Sequence, residues 1–260
     1  MDTPPQLYGV YGHPIAHSLS PHMHNAAFRV RGWRHWYIPI DCRPQELEEK
    51  LEAFRAIGGR GANLTRPLKE TVLPLLTSGS SWVARAGAAN TIVWTPEGWQ
   101  GDNTDCQALL GQLSPALPGA QALVLGAGGA ARASVAVLRE SGYGVTVASR
   151  RPTAWPDVQW MAWEERLAPA SWDVVVNATP VGQSGEAQSA AWPMPVEHGT
   201  VVDWVYSPRR TPFLREAEHH PVAVVDGLTL LVEQARYAWR LWFGEVAPAD
   251  PMWDATARWQ

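Results

Sequence analysis

Short apolar runs alternate with amphipathic stretches along most of the chain, and this pattern predicts strands that alternate with helices. In the first part of the chain the pattern predicts strands over residues 7–11, 36–40, 62–64 and 90–94, and helices over residues 21–30, 45–57 and 105–113. We interpret the Gly-Gly-Arg-Gly segment at residues 58–61 as a turn. Strands that alternate with helices are typical of α/β folds.

A second series of strands and helices follows residues 114–119, a Pro- and Gly-containing segment that we interpret as a link between domains. One strand is predicted to end at Leu125, and three more are predicted over residues 145–148, 172–177 and 199–203. A long helix is predicted over residues 228–243. Residues 126–130, Gly-Ala-Gly-Gly-Ala, join the first of these strands to an alanine-rich helix. This pattern is typical of a dinucleotide-binding unit, because glycines let the backbone approach a phosphate and the helix N-terminus offers free N–H groups. The same pattern also fits a plain strand-to-helix turn.

The end of the next predicted strand favours NADP over NAD. Arg150 and Arg151 stand there, and no carboxylate follows before Asp157. An acidic residue at this place binds the ribose hydroxyls of NAD, whereas arginine pairs with the 2′-phosphate of NADP. The alternative is that both arginines are solvated loop charges.

Composition narrows the class of protein. The 260 residues are 46% hydrophobic and 18% charged, with a net charge of -4 and no basic run, which argues against a nucleic-acid partner. The N-terminal residues lack the features of a signal peptide, and no apolar run is long enough to span a membrane. Cys42 and Cys106 lack metal-ligand spacing, so we expect free thiols, no bound metal and a cytoplasmic location.

Four polar side chains before residue 110 are candidates for chemistry. Ser18 and Ser20 precede a predicted helix and form a plausible cradle for a carboxylate, although Ser20 also fits a helix N-cap before Pro21. Lys69 and Asp105 follow predicted strands, and each has a local alternative as a solvated helix residue or a helix cap.

Taken together, eight segments resemble the shikimate dehydrogenase family over nearly the whole chain and in the same order. They are Gly-His-Pro-Ile-Ala-His-Ser-Leu-Ser-Pro at 12–21, Gly-Ala-Asn-Leu-Thr-Arg-Pro-Leu-Lys at 61–69, Gly-Ala-Ala-Asn-Thr at 87–91, Gly-Asp-Asn-Thr-Asp at 101–105, Gly-Ala-Gly-Gly-Ala-Ala-Arg at 126–132, Asn-Ala-Thr-Pro at 177–180, Thr-Pro-Phe-Leu at 211–214, and Asp-Gly-Leu at 226–228 with Gln234.

The resemblance implies a two-lobed α/β protein with its site in the cleft. The expected lobes are a substrate-binding domain at 1–107 with the C-terminal helices at 228–260, and an NADP-binding Rossmann domain at 108–227. The resemblance assigns catalysis to Lys69 and Asp105. It assigns substrate contacts to Ser18, Ser20, Thr65, Asn90, Asp105, Tyr206 and Gln234, and cofactor contacts to Gly126, Ala127, Gly128, Gly129, Ala130, Ser149, Arg150, Arg151, Trp204 and Gly227.

The implied activity is the reversible, NADP-dependent reduction of 3-dehydroshikimate to shikimate in aromatic amino-acid biosynthesis, by a monomer or homodimer without a membrane partner. Two alternatives are a quinate or quinate/shikimate dehydrogenase and a non-catalytic nucleotide-binding regulator. The presence of both Lys69 and Asp105 argues against the regulator, because binding alone needs no proton donor. Four residues depart from the family pattern: Arg66, Cys106, Ser149 and Thr229.

Overall fold

The computed structural model describes residues 4–168, 170–183 and 199–257. The chain divides into two compact units. The first contains the described residues up to Gln107 and those from Val232 onward, and the second contains those from Ala108 to Leu231. No helix in the described ranges is long and apolar enough to cross a membrane.

The first unit is a six-stranded mixed sheet with helices. Its elements are β1 (Leu7–Gly12), α1 (Ser20–Val30), β2 (Trp36–Asp41), α2 (Leu47–Ala56), β3 (Gly59–Leu64), α3 (Leu68–Thr71), β4 (Leu76–Gly79), α4 (Ser81–Ala86), β5 (Thr91–Thr95), β6 (Gly98–Asp102) and the start of α5 (Thr104–Leu110). The strand order is β2-β1-β3-β5-β6-β4. The neighbours of β1 are parallel to it, whereas β5 is antiparallel to both β3 and β6.

This strand order brings the ends of β1, β3 and β6 and the start of β5 to one end of the sheet. Tyr11 near the end of β1 pairs with Leu64 at the end of β3. The first residue of β5, Thr91, pairs with Asn63 on one side and with Asp102, the last residue of β6, on the other. The loops after β1, β3 and β6 and the loop before β5 therefore emerge together.

Aromatic side chains fill much of this unit. The C-terminal part of α8 (Gly227–Phe243) and α9 (Asp250–Thr256) belong to it, and α9 packs on α1. Trp239 is fully buried and stacks on Phe28 with ring centroids 5.1 Å apart. Trp242 lies over Gly61, where a Cβ would come within 2.4 Å of the indole nitrogen, and Phe54 packs against Gly59 in the same way. Both glycines lie in β3, so the predicted turn at 58–61 is wrong from Gly59 onward.

The second unit has the strand order of a dinucleotide-binding fold. Its elements are β7 (Gln121–Leu125), α6 (Gly129–Glu140), β8 (Gly144–Ser149), β9 (Gln159–Ala162), β10 (Val174–Asn177), β11 (Gly199–Asp203), α7 (Pro212–Ala217), β12 (Val222–Val225) and the start of α8. All its strands are parallel, in the order β12-β11-β10-β7-β8-β9. This is the doubly wound order, whose reversal point lies between β7 and β10.

The predicted α/β class with a Rossmann-type second domain is confirmed, and most strands fall within two residues of their predicted bounds. The pattern missed β4, β6, β9 and β12, which are short or carry glycine and polar residues. It also extended the helix after Asp105 to residue 113, whereas α5 ends at Leu110. The four missed strands have little apolar periodicity, and the ends of helices are the least certain part of a pattern-based prediction.

Candidate active site

A lysine and an aspartate form a nearly buried ion pair at the end of the first sheet where the loops emerge. Lys69 lies in α3 just after β3, and Asp105 lies in the first turn of α5, where the helix dipole favours a carboxylate. The Lys69 Nζ donates to Asp105 Oδ2 at 2.5 Å, with side-chain exposures of 16% and 6%. This geometry places a charged proton donor directly on a carboxylate, with little water around either group.

A network of buried amides and hydroxyls fixes the backbone next to this pair. The Asn90 Oδ1 accepts from the Thr104 backbone N–H at 2.7 Å, and its Nδ2 donates to Thr104 Oγ1 at 3.0 Å. The Asn63 Nδ2 donates to Thr91 Oγ1 at 2.9 Å. All four residues are at most 6% exposed. Because buried polar groups need partners, this network holds the start of α5, and with it Asp105, at a fixed position.

The carboxylate of Asp102 supports the same turn from the other side. It accepts from Ser80 Oγ at 2.5 Å, from the Asn103 backbone N–H at 2.7 Å and from Gln107 Nε2 at 2.7 Å. The Asn103 Nδ2 donates to the Ala88 carbonyl at 2.9 Å. Asp102 is thus satisfied inside the fold and has a structural role beside Asp105.

The two predicted carboxylate-binding serines lie in the loop after β1 and at the start of α1. Helix α1 begins at Ser20 and its N-cap residue is Leu19, so the N-cap interpretation of Ser20 is wrong. The Ser18 Oγ accepts from the Ser20 backbone N–H at 3.3 Å. The Ser20 hydroxyl lies beside the buried Tyr37 phenol, which donates to Asn63 Oδ1 at 2.7 Å. Burial raises the pKa of Tyr37, and the Ser20 hydroxyl partly offsets this.

The remaining predicted substrate residues divide between the units. Thr65 directly follows β3, and its backbone N–H donates to the Tyr11 carbonyl at 2.8 Å. Gln234 lies on the part of α8 that belongs to the first unit and is 7% exposed. Tyr206 lies in the second unit, where burial raises the pKa of its phenol.

The glycine turn after β7 brings the backbone close to the neighbouring strand end and leaves open space above Gly128. Gly126 has φ of +107°, and a Cβ there would lie 3.0 Å from the Ala178 carbonyl oxygen. A Cβ on Gly128 would meet nothing within 4 Å, so space is open above this backbone. Helix α6 begins at Gly129 without a side-chain cap and without an acidic residue in its first turn. Ala127 is exposed and Ala130 is half-buried. No side-chain cap and no acidic residue therefore compete with an anion for the first N–H groups of α6.

The other predicted cofactor residues also lie in the second unit. Arg150 and Arg151 are exposed, whereas Ser149 is only 6% exposed at the end of β8. The Trp204 Nε1 donates to Ser134 Oγ on α6 at 3.0 Å, which fixes the indole against that helix. At Gly227 a Cβ would come within 2.4 Å of the Val205 carbonyl oxygen, so this close approach requires glycine.

The structure shows the surroundings of three residues that depart from the family pattern: Cys106, Thr229 and Arg66. Cys106 is fully buried, and burial raises the pKa of its thiol. Thr229 binds the Asp226 carboxylate through its N–H at 2.9 Å and its hydroxyl at 3.2 Å, which caps α8. Arg66 is exposed and its carbonyl accepts from His13 N–H at 3.0 Å, but nothing in the structure explains its charge. Within the described ranges no three His, Cys, Asp or Glu side chains are grouped closely enough to hold a metal ion.

The sequence analysis did not single out Asn63, Thr104 or Tyr37, which form buried hydrogen bonds next to the site. A signal for Asn63 exists, because an amide between the apolar residues Ala62 and Leu64 of a strand must find a buried partner. No local pattern identifies Tyr37, since a tyrosine in a strand fits ordinary core packing.

Comparisons with known proteins identify relatives of this chain. A family model of the shikimate dehydrogenase substrate binding domain matches residues 10–92, and a model of the shikimate 5'-dehydrogenase C-terminal domain matches residues 227–256. The shikimate dehydrogenase (NADP(+)) of Synechococcus sp. (strain JA-3-3Ab) is 38% identical over 95% of this chain and 91% of its own length.

Two solved structures bear on the ligands of the family. The shikimate 5-dehydrogenase of Thermus thermophilus, in complex with NADP(H) and shikimate, has a TM-score of 0.85 and 36% identity, and the match covers 98% of this chain and 100% of that one. A quinate dehydrogenase from Corynebacterium glutamicum in complex with NAD has a TM-score of 0.83 and 29% identity, over 97% and 99% of the two chains. The identity and the coverage of both sheets show that this chain belongs to the shikimate dehydrogenase family.

Proposed function

We propose that this chain catalyses the reversible, NADP-dependent reduction of 3-dehydroshikimate to shikimate, a step of aromatic amino-acid biosynthesis. The observation that carries the proposal is the Lys69–Asp105 pair at 2.5 Å, buried at the end of the sheet where the hydroxyl- and amide-bearing loops emerge. The glycine turn at Gly126–Gly129 supports the proposal, because the space above Gly128 is open and α6 begins without a side-chain cap.

In the reductive direction a bound NADPH supplies a hydride to the carbonyl carbon of the substrate. The Lys69 ammonium donates a proton to the carbonyl oxygen, which becomes the new hydroxyl group, so one hydride and one proton are added in total. Asp105 holds the Lys69 Nζ in place through the hydrogen bond at 2.5 Å. In the oxidative direction the Lys69 amine accepts the hydroxyl proton.

Substrate recognition follows from the types of the surrounding side chains. Ser18 lies just before α1 and Ser20 is its first residue, where hydroxyl donors and the helix dipole both favour a carboxylate. Thr65, Asn90 and Gln234, with Tyr206 of the second unit, are hydrogen-bonding groups suited to the ring hydroxyls. We assign the carboxylate to the serines and the hydroxyls to the other group.

Cofactor recognition is assigned to the second unit. The residues that would hold the diphosphate are the glycine turn from Gly126 to Ala130, with Trp204 and Gly227 beside it. The chemistry of Arg150 and Arg151 fits the 2′-phosphate of NADP, because guanidinium groups form strong charge-assisted bonds with phosphate oxygens.

A quinate or quinate/shikimate dehydrogenase is the second candidate, favoured by the similarity to the NAD-bound quinate dehydrogenase. Initial rates with shikimate and with quinate, each with NADP and with NAD, distinguish the two. The proposed function predicts the highest kcat/KM for shikimate with NADP. Preferential oxidation of quinate with NAD would contradict it, and absence of turnover with all four combinations would contradict both candidates.

We further propose that the enzyme works in the cytoplasm as a monomer or homodimer, without nucleic-acid or membrane partners. The net charge of -4 supports the absence of a nucleic-acid partner. The two buried free thiols support the cytoplasmic location. Light scattering on a size-exclusion column measures the oligomeric state, and an assembly larger than a dimer would contradict the proposed monomer or homodimer.

A further inference from the structure

The hydroxyl of Ser149 is engaged inside the fold. Its Oγ donates to the Arg151 carbonyl at 2.6 Å and accepts from the Trp160 indole Nε1 at 3.0 Å. A serine hydroxyl has a single hydrogen to donate, and here the Arg151 carbonyl receives it. Because Ser149 is only 6% exposed, it has no donor left for an anion outside the protein.

The same two bonds tie the start of the loop that carries the arginines to the neighbouring strand. This arginine loop, residues 150–158, joins β8 to β9, and Trp160 lies on β9 next to Val147 of β8. The loop start is therefore attached to β9 through the serine hydroxyl. Arg150 and Arg151 are exposed, and the acidic residue of the loop, Asp157, pairs with Arg139 and not with either of them.

Helix α6 holds the rest of the arginine loop. The Arg132 guanidinium carbon lies 4.9 Å from the centre of the Trp155 ring. The Arg139 Nη2 donates to Asp157 Oδ2 at 2.6 Å. Residues seven apart lie on the same face of a helix, so both contacts hold the loop along one side of α6. The loop is thus contacted at its start, middle and end, and its first two side chains are exposed.

We propose that Ser149 and Trp160 are positioning residues for cofactor selectivity: they fix the backbone of Arg151 so that Arg150 and Arg151 are presented together to the 2′-phosphate, and Ser149 does not contact the phosphate itself. The inference rests on the proposed NADP-dependent function and changes the role that the family resemblance assigns to Ser149. A preorganised loop binds its ligand more tightly because less conformational freedom is lost on binding.

The test is equilibrium binding of NADP and of NAD, measured by titration calorimetry on the full chain without substrate. Ser149→Ala removes both hydrogen bonds, and Trp160→Phe removes only the indole donor. We expect each variant to weaken NADP binding by about 2- to 10-fold, the range for loss of a neutral hydrogen bond, and to leave NAD binding within about 2-fold. Trp163→Phe, a change of the same kind just beyond β9, is the matched control and should alter neither cofactor.

A variant with both Arg150 and Arg151 replaced by glutamine separates positioning from direct contact. In that background Ser149→Ala should have no further effect on NADP affinity, because its effect acts through the two guanidinium groups. An equal loss in both backgrounds would show direct contact between Ser149 and the phosphate and overturn the inference. Equal weakening of NADP and NAD in the single variants would also overturn it.

The result of this test does not depend on whether shikimate is the substrate. A parent chain that binds NADP and NAD equally overturns the inference, even if it oxidises shikimate. A parent chain that prefers NADP and shows the expected variant pattern supports the inference, even if shikimate is not its substrate.

Discussion

Replacement of Lys69 by alanine is the most direct test of the buried ion pair. The change removes the ammonium that lies 2.5 Å from Asp105 Oδ2 and leaves the carboxylate, with 6% side-chain exposure, without its cation. The proton donor of the proposed reduction is lost at the same time. Two separate losses are therefore expected, one in turnover and one in the free energy of unfolding.

The expected sizes follow from the burial of the pair. A general acid–base group contributes about 10²- to 10⁴-fold to the rate, and little of this is ground-state binding, so kcat should fall by that factor with a modest change in the shikimate dissociation constant. Removal of one partner of a buried pair costs about 3–5 kcal/mol of unfolding free energy when the other charge stays buried. Additional replacement of Asp105 by asparagine should recover much of this stability, because no isolated charge is left, but should not restore turnover.

Steady-state kinetics in the direction of NADP reduction measure kcat and KM, and urea titration measures the free energy of unfolding. Lys50→Ala is the matched control, because Lys50 forms an exposed ion pair with Glu46 on the same unit and should leave kcat unchanged. An increase in KM at unchanged kcat for the Lys69 variant would refute the proton-transfer role. Equal stability of the single and double variants would refute the argument from the buried charge.

Three further predictions concern other parts of the chain. Replacement of Ser18 and Ser20 by alanine should raise KM for shikimate about 10-fold at similar kcat, since two hydroxyl bonds to a carboxylate are lost; an unchanged KM would contradict their role. Replacement of Arg150 and Arg151 by glutamine should lower the ratio of NADP to NAD affinity at least about 10-fold, and salt should weaken NADP binding more than NAD binding in the parent; equal effects on both cofactors would contradict the assignment. Burial raises the pKa of Asp203 from 3.8 to about 6, so this group stabilises the fold fully below its unfolded pKa and loses that stabilisation as the pH rises through the folded value. The unfolding free energy of the parent relative to Asp203→Asn should therefore increase by about 1.4 kcal/mol from about pH 7.5 to about pH 5, and a constant difference in urea titrations would contradict it.

The sequence by itself determined the features that depend on neighbouring residues. The run that ends at Leu125, the glycines after it and the alanine-rich segment beyond predict strand, turn and helix, and the structure has β7 and α6 there. Such features are local, because side-chain periodicity and the conformational freedom of glycine act over a few residues. The family resemblance then ordered the motifs and assigned their roles.

Only the tertiary structure decided which distant residues meet. Lys69 and Asp105 are 36 residues apart and lie side by side because β5 pairs antiparallel with both β3 and β6. Strand β6, Gly-Trp-Gln-Gly-Asp, has no alternating apolar pattern, so its place in the sheet could not be read from its own residues. The engagement of the Ser149 hydroxyl by Trp160 was hidden for the same reason. A strand's partner and a side chain's hydrogen bonds depend on the free energy of groups brought together from separate parts of the chain, and local patterns do not encode that sum.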